Sequence, residues 1–282
     1  MRNKPILPFV ETMITQSCNL SCHGCTNYSD LIHSGYVTWA DGRKQLESWL
    51  NRVDISDFGI LGGEPLVNPE VAKWIVGLRE LMPSAQIRFT TNGINLHKKF
   101  HLIGLLHDIG NCVIKISHHT DDPRLTEVIH QIYESYDWKP ITEYGIDRWT
   151  TGDRVRFHVK KPEIFLKTYR GSYADMMPHD NNPIEAFDAC IQQTCPLLYN
   201  GRIYKCSTAG LLTDLLNRFD RPNWNQWQSL IDPGIGPDCS DADLAGFLDN
   251  FGKSHNICRQ CPTINDNHSK IDHLKFVEFK KK

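Results

Sequence analysis

The chain has almost no net charge: 31 Lys and Arg against 33 Asp and Glu leave −2 over 282 residues. That excludes a polycation built to coat nucleic acid or an acidic membrane. No apolar run approaches the ~18 residues of a membrane span. Residues 1–18 lack the basic start, the apolar stretch and the small-residue cleavage site of a signal peptide. The expected address is therefore the cytosol (cytoplasmic), with no membrane partner. Internal repeats and low-complexity tracts are missing too. Hydrophobic residues at 40% and charged residues at 23% exclude a disordered or fibrous chain. At ~150 residues per domain, the length allows two domains or a barrel with an appendage.

Cysteine is what the chain has in excess. Ten in one chain need a reason, and a reducing compartment disfavours disulfides. Their placement is uneven, with Cys18, Cys22 and Cys25 near one end and Cys190, Cys195, Cys206, Cys239, Cys258 and Cys261 toward the other. Metal or cluster ligation is the better account.

The pattern up to about residue 170 alternates strands and helices. Strands are expected at 9–15, 57–61, 86–91, 112–117 and 154–159, with helices at 38–53, about 70–82, 95–108 and 123–136. Strands separated by helices of that length imply βαβ units and a parallel sheet. Beyond about Gly171 the chain turns loop-rich, with a hairpin expected around Asn200-Gly201. A module this small gains from a bound cluster. The expected boundaries are 1–175 and 176–282.

Cys18-x3-Cys22-x2-Cys25 sets three thiolates within eight residues directly after a strand. Such a loop can wrap three corners of a cubane cluster and leave the fourth iron open. The alternative is zinc, which wants four closed ligands; His23, wedged between two cysteines, is a poor fourth.

With Gly62-Gly63-Glu64-Pro65 after the second strand and Thr90-Thr91-Asn92-Gly93 after the third, the cysteine loop resembles the signature of the radical SAM superfamily. The resemblance covers roughly residues 7–160. It implies a partial (β/α)6 TIM-type barrel whose [4Fe-4S] cluster, held by Cys18, Cys22 and Cys25, binds S-adenosyl-L-methionine through its open iron. An electron then cleaves that cofactor to methionine and a 5′-deoxyadenosyl radical. Gly62, Gly63 and Glu64 are expected to hold its methionyl amine, with Glu64 supplying a carboxylate for the ammonium group. Asn92, Ser117 and Arg156 are weaker cofactor contacts. In one departure, the residue before the third cysteine is often aromatic in the family and is Gly24 here.

Strand alternation adds a separate expectation. Arg154, Arg156 and His158 share one face, as do Lys115, Ser117 and His119, and Arg88, Thr90 and Asn92. Apolar residues hold the other faces. A polar, cationic barrel interior suits a charged ligand, whereas an exposed edge strand is the bland alternative. Between Arg154 and Arg170 six basic residues stand against one acid, Glu163. That excess points to a phosphate- or carboxylate-bearing substrate.

Cys195 and Cys206 bracket the expected hairpin, and Cys258-x2-Cys261 follows. Four thiolates can close a second cluster or a zinc ribbon. The arrangement resembles the twitch module, the shortened SPASM domain, which implies one auxiliary [4Fe-4S] cluster. Cys190 competes with Cys195 for the first place. Cys112 reads as a core residue, and Cys190 or Cys239 could return a hydrogen atom to a substrate radical. His118-His119 is rejected as a chelate, because strand neighbours point to opposite faces.

The expected function is therefore hydrogen-atom abstraction from an anionic small molecule, sugar or nucleotide, possibly carried on a polymer, with rearrangement, epimerisation or oxidation as the outcome. An external electron donor such as flavodoxin or ferredoxin is implied. The alternatives are a peptide-modifying maturase, a non-catalytic iron–sulfur electron carrier and a zinc-stabilised interaction module.

Overall fold

The structure, a computed structural model, describes residues 4–32, 35–143, 146–152, 154–161, 164–172, 175–220, 224–266, 270–272 and 277–279. It divides into two compact units, 1–19 with 35–162, and 20–34 with 163–282. The second unit thus takes in the stretch that carries Cys22 and Cys25, in addition to the C-terminal part of the chain.

The first unit is α/β. In chain order it contains β1 Val10–Met13, α1 Trp39–Leu50, β2 Asp57–Leu61, α2 Val71–Leu81, β3 Gln86–Thr91, α3 His101–Ile109, β4 Cys112–Ser117 and α4 Pro123–Ser135, then β5 Lys139–Glu143, β6 Ile146–Thr150 and β7 Val155–Lys160. Strands β1, β2, β3, β4 and β7 lie side by side and parallel. The antiparallel hairpin β5–β6 adds beyond β7. Five parallel strands match the expected parallel α/β sheet. Among the described residues of this unit there is no sixth in that sheet.

Local chemistry explains the helix starts. The Thr38 hydroxyl accepts from the Asp41 N–H at 3.2 Å, the side-chain cap that helix N-termini favour. Asp122 caps α4 in the same way, with Pro123 in its first turn, where a missing N–H costs nothing. The single helix expected over 95–108 is broken instead. Gly93, at φ +77°, opens a 3₁₀ turn over Ile94–Lys98, and α3 starts afresh at His101. The hairpin β5–β6 has no counterpart in the sequence reading, and it keeps β7 from being an edge strand.

Strand register makes Glu11, Gly59, Arg88, Val113 and Arg156 one row across the sheet. Two residues along, Lys115 pairs with His158, and two further on Ser117 pairs with Lys160. Residues in register share a face, so this is the polar face expected from alternation. The opposite face carries Phe58, Ile60, Ile87, Phe89, Ile114 and Phe157, all fully buried. It packs on helices: the Phe157 ring lies 5.6 Å from that of Tyr133 in α4. Cys112 is buried on this apolar side, as expected of a core residue.

Glu11 is nearly buried on the polar face, and desolvation pushes its carboxyl from 4.5 up to about 8 against the pull of Lys115 and Arg88. Between those values the unfolded chain is ionised while the folded one keeps its proton, so stability falls as pH rises through the window. Glu64 is shifted the same way, to about 7. Chemical denaturation at pH 5 and pH 8 should show the loss, on the order of a few kcal/mol. Glu11→Gln should remove a large part of that slope; an unchanged slope contradicts the assignment.

In the second unit, described by itself, α5 Pro183–Asp188 precedes the hairpin β8 Leu197–Tyr199 and β9 Arg202–Tyr204, with α6 Ser207–Phe219 and α7 Asp241–Asp249 following. Asn200 and Gly201 both have positive φ at the hairpin turn, as Asn-Gly predicts. The short strand Leu20–Cys22 pairs antiparallel with Val277–Phe279. The Tyr28 hydroxyl meets that of Thr168 at 3.0 Å, which ties the segment after the cysteine loop into this unit. No described helix in the chain is long and apolar enough to cross a membrane.

Candidate functional site

The two-glycine turn after β2 runs beside the chain leading into Cys18. Gly63 N–H donates to the Thr15 carbonyl at 2.8 Å and Glu64 N–H to that of Ser17 at 2.9 Å. A Cβ on Gly63 would stand 2.3 Å from the Ser17 oxygen, and one on Gly62 would stand 2.4 Å from that of Thr15. The glycines are thus needed for the approach of backbone to backbone, which sequence alone assigned to a ligand. Gly63→Ala must displace main chain and should cost about 1–3 kcal/mol in a denaturation experiment. Gly246→Ala in α7, with nothing within 4 Å of its Cβ, serves as the control and should instead stabilise by about 0.5–1 kcal/mol.

Glu64 is fully buried at 0% exposure, and its carboxylate faces inward. Oε1 accepts from Thr91 Oγ1 at 2.6 Å and Leu66 N at 3.0 Å, and Oε2 accepts from Asn92 N at 2.7 Å. Within the fold this carboxylate also has a structural task. Three internal donors hold it, and it fastens the turn after β2 to the end of β3. Asn92 carries the brace onward: its Nδ2 donates to Asn19 Oδ1 at 2.7 Å and lies 3.8 Å from Cys18 Sγ. Gly62, Gly63, Glu64 and Asn92 are thereby brought to the root of the cysteine loop.

Past Cys18, the loop closes on itself. Cys25 N–H donates to the Cys22 carbonyl at 3.1 Å, and Gly24 between them sits at φ +79°. An aromatic residue would be strained there, which explains the departure noted in the sequence. Burial pushes the Cys25 thiol up to about 11, and burial with Lys167 nearby lowers the His23 imidazole.

Ser117 ends β4, half-buried, in register with Lys160. Arg156 is in register with Val113. That is four residues earlier, or roughly 13 Å along the strand. It belongs to the other end of the sheet. There Arg88 Nε donates to Asp57 Oδ2 at 2.6 Å, and the Gln86 carboxamide, in the orientation that satisfies its neighbours, bridges Asp57 and Arg156. Arg156 and Ser117, both expected as cofactor contacts, therefore share a face but not a height. Alternation fixes the face but not the height. Lys160, which sequence does not single out, occupies the height of Ser117. Glu163 lies outside the described residues.

In the second unit, Cys190, Cys206, Cys258 and Cys261 line one cavity of about 120 Å³. Cys195, the expected ligand, does not line it. Hairpin pairing stops at Leu197 with Tyr204, and Cys206 leaves the strand to cap α6, so bracketing the hairpin gives Cys195 no claim. Cys190, which follows α5, lines the cavity instead. Its sulfur accepts from Gln192 N–H at 3.2 Å, and Gln192 Nε2 is held by Thr26 and Ser207 at 3.2 and 3.0 Å. Burial drives the Cys206 thiol up to about 12 and Cys261 well above its usual range, with the other cavity thiols adding to the rise. Among the described residues, which include every cysteine, none is disulfide-bonded, and no three His, Cys, Asp or Glu are grouped as a single metal ion requires. Thiols set around a void suit a multinuclear cluster better than a zinc ion held at a point. Cys239 lines a separate cavity of about 720 Å³, with Arg202, Asp238 and Phe247 among its neighbours.

Residues 12–146 match the family model described as Radical SAM superfamily. Over 129 residues the chain is 30% identical to molybdenum cofactor biosynthesis protein 1 of Bos taurus, covering 43% of this chain and 19% of that protein. Over 95 residues it is 27% identical to a GTP 3′,8-cyclase of Clostridium perfringens (strain SM101 / Type A), covering 33% of this chain and 29% of the relative. The chain therefore spans less than a third of either curated relative. In fold it resembles the crystal structure of BtrN in complex with AdoMet and 2-DOIA, with a TM-score of 0.53 at 15% identity, covering 93% of this chain and 95% of that one. The protein carries a domain of the radical SAM superfamily.

Proposed function

We propose that this protein is a radical S-adenosylmethionine enzyme acting on an anionic small molecule or nucleotide-type substrate. Cys18, Cys22 and Cys25 are the three thiolate ligands of its catalytic cluster. Bound there, a reduced [4Fe-4S] cluster with one open iron supplies reductive cleavage of S-adenosylmethionine and so a 5′-deoxyadenosyl radical, a reagent that side chains cannot provide. Glu64 and Asn92 fix the loop that begins at Cys18, and Gly62 and Gly63 let the turn after β2 lie flat against it.

The observation that carries the substrate class is the row structure of the polar face. Lys115 beside His158, with Lys160 beside Ser117, sets cationic groups on the face opposite the helices, at and below the C-terminal ends of the strands. In open α/β sheets that end is where ligands bind. Such a face favours a phosphate or carboxylate. The relative named GTP 3′,8-cyclase, whose name specifies a nucleotide, supports the same class.

An auxiliary [4Fe-4S] cluster held by Cys190, Cys206, Cys258 and Cys261 completes the reading. Four protein thiolates leave no iron open, so its role is to pass electrons rather than to bind substrate. An external flavodoxin or ferredoxin supplies the reducing electron.

The test is anaerobic reconstitution, addition of dithionite and S-adenosylmethionine, and assay of 5′-deoxyadenosine with and without panels of nucleotides, sugar phosphates, carboxylates and peptides. Acceleration by a member of the anionic small-molecule panels is expected. Acceleration by peptides alone overturns the substrate class. No cleavage by a filled cluster overturns the enzyme assignment and returns the chain to an electron carrier.

A further inference from the structure

Gln260 closes the 3₁₀ turn Asn256–Gln260, two residues after Cys258 and one before Cys261. It is 0% exposed, and neither its Nε2 nor its Oε1 meets a hydrogen-bond partner among the described residues. Gln260 lines the same cavity as the four cysteines. A buried carboxamide without a partner is costly, whereas an apolar side chain of similar size would pack there at no such cost. Of the two atoms the donor is the more demanding, since buried N–H groups are left orphaned more rarely than carbonyl oxygens.

Other polar side chains around this cavity are engaged with one another. Thr168 meets Tyr28, the Thr208 hydroxyl donates to the Thr26 carbonyl, Gln192 bonds Thr26 and Ser207, and Lys205 donates to the Gln193 carbonyl. Sulfur is the acceptor that the four cysteines bring to the cavity.

We infer that Gln260 is a positioning residue whose carboxamide N–H donates to a sulfur of the cluster held by Cys190, Cys206, Cys258 and Cys261, and that this bond raises the cluster's reduction potential. The inference rests on the auxiliary-cluster reading above. Reduction adds negative charge to the cluster, and a donor aimed at its sulfur stabilises the reduced form more than the oxidised one. The low local dielectric of a protein interior strengthens the effect.

The test uses the full chain with Cys18, Cys22 and Cys25 replaced by alanine, reconstituted without oxygen, so that only the second cluster reports. In a potentiometric titration followed by electron paramagnetic resonance, Gln260→Leu should move the midpoint to more negative potential. At a fixed poise the ratio of reduced to oxidised cluster should fall on the order of tenfold, equivalent to about 59 mV for one electron. Gln260→Met, which keeps a similar length and volume but loses the donor, should move it the same way. A second measurement leaves Gln260 intact and labels glutamine side chains with ¹⁵N: pulsed resonance of the reduced cluster should show a ¹⁵N coupling. An iron-filled protein with unchanged midpoints in both variants, or with no ¹⁵N coupling, overturns the role of Gln260. A triple-alanine protein that takes up no iron overturns the auxiliary cluster itself.

Discussion

Cys18→Ala, Cys22→Ala and Cys25→Ala should each reduce 5′-deoxyadenosine formation to background and lower the iron content from about eight to about four atoms per chain, one cubane fewer. The effect is complete rather than graded, because the chemistry belongs to the cofactor and the protein only holds it. The loop offers three thiols, and Gly24 at φ +79° with the Cys25–Cys22 backbone bond fixes its turn. Turnover that survives any one of these substitutions would show that the loop is not the catalytic ligand set.

Cys190→Ala and Cys195→Ala should separate cleanly. The first should lose the auxiliary cluster, with iron falling from about eight to about four per chain, and the second should keep it. Cys206, Cys258 and Cys261 should behave as Cys190 does, since all four line one cavity. Stability should follow the metal, because a site absent from the unfolded chain adds its binding free energy to folding. The Cys190→Ala holoprotein is therefore expected to unfold at lower temperature than the Cys195→Ala protein. The reverse order, in iron or in melting, would restore the reading in which the hairpin is bracketed by its ligands.

The parallel strands are legible because each is bounded by turn residues and alternates cleanly. The segments 57–61, 86–91 and 112–117 coincide with the strands to the residue. The polar face follows from the same alternation, since a period of two fixes which side a residue takes. Height along the sheet does not follow, because it depends on register between strands distant in sequence. This is why sequence alone does not separate the heights of Arg156 and Ser117 and passes over Lys160. The hairpin β5–β6 is hidden because Pro140 and the interspersed charges dilute its strand pattern.

At the site, the motif residues are recognisable but their work is not. Gly62, Gly63 and Glu64 read as ligand contacts, whereas their nearest partners are the chain's own backbone at Thr15 and Ser17 and its own Thr91 and Asn92. Cys190 and Cys195 have similar claims on spacing, and only folding tells which one reaches the cavity. Gln260 gives no signal at all. A glutamine between two cysteines is ordinary until its amide is found buried without a partner.

The central claim is that one iron beside Cys18, Cys22 and Cys25 is left for the sulfonium cofactor. Electron–nuclear double resonance on the reduced holoprotein, with S-adenosylmethionine labelled by ¹⁵N at the methionyl amine and ¹⁷O at its carboxylate, tests this most directly. The account predicts hyperfine couplings from both labels that vanish in Cys18→Ala. A fully loaded, reduced cluster that shows neither coupling would contradict it.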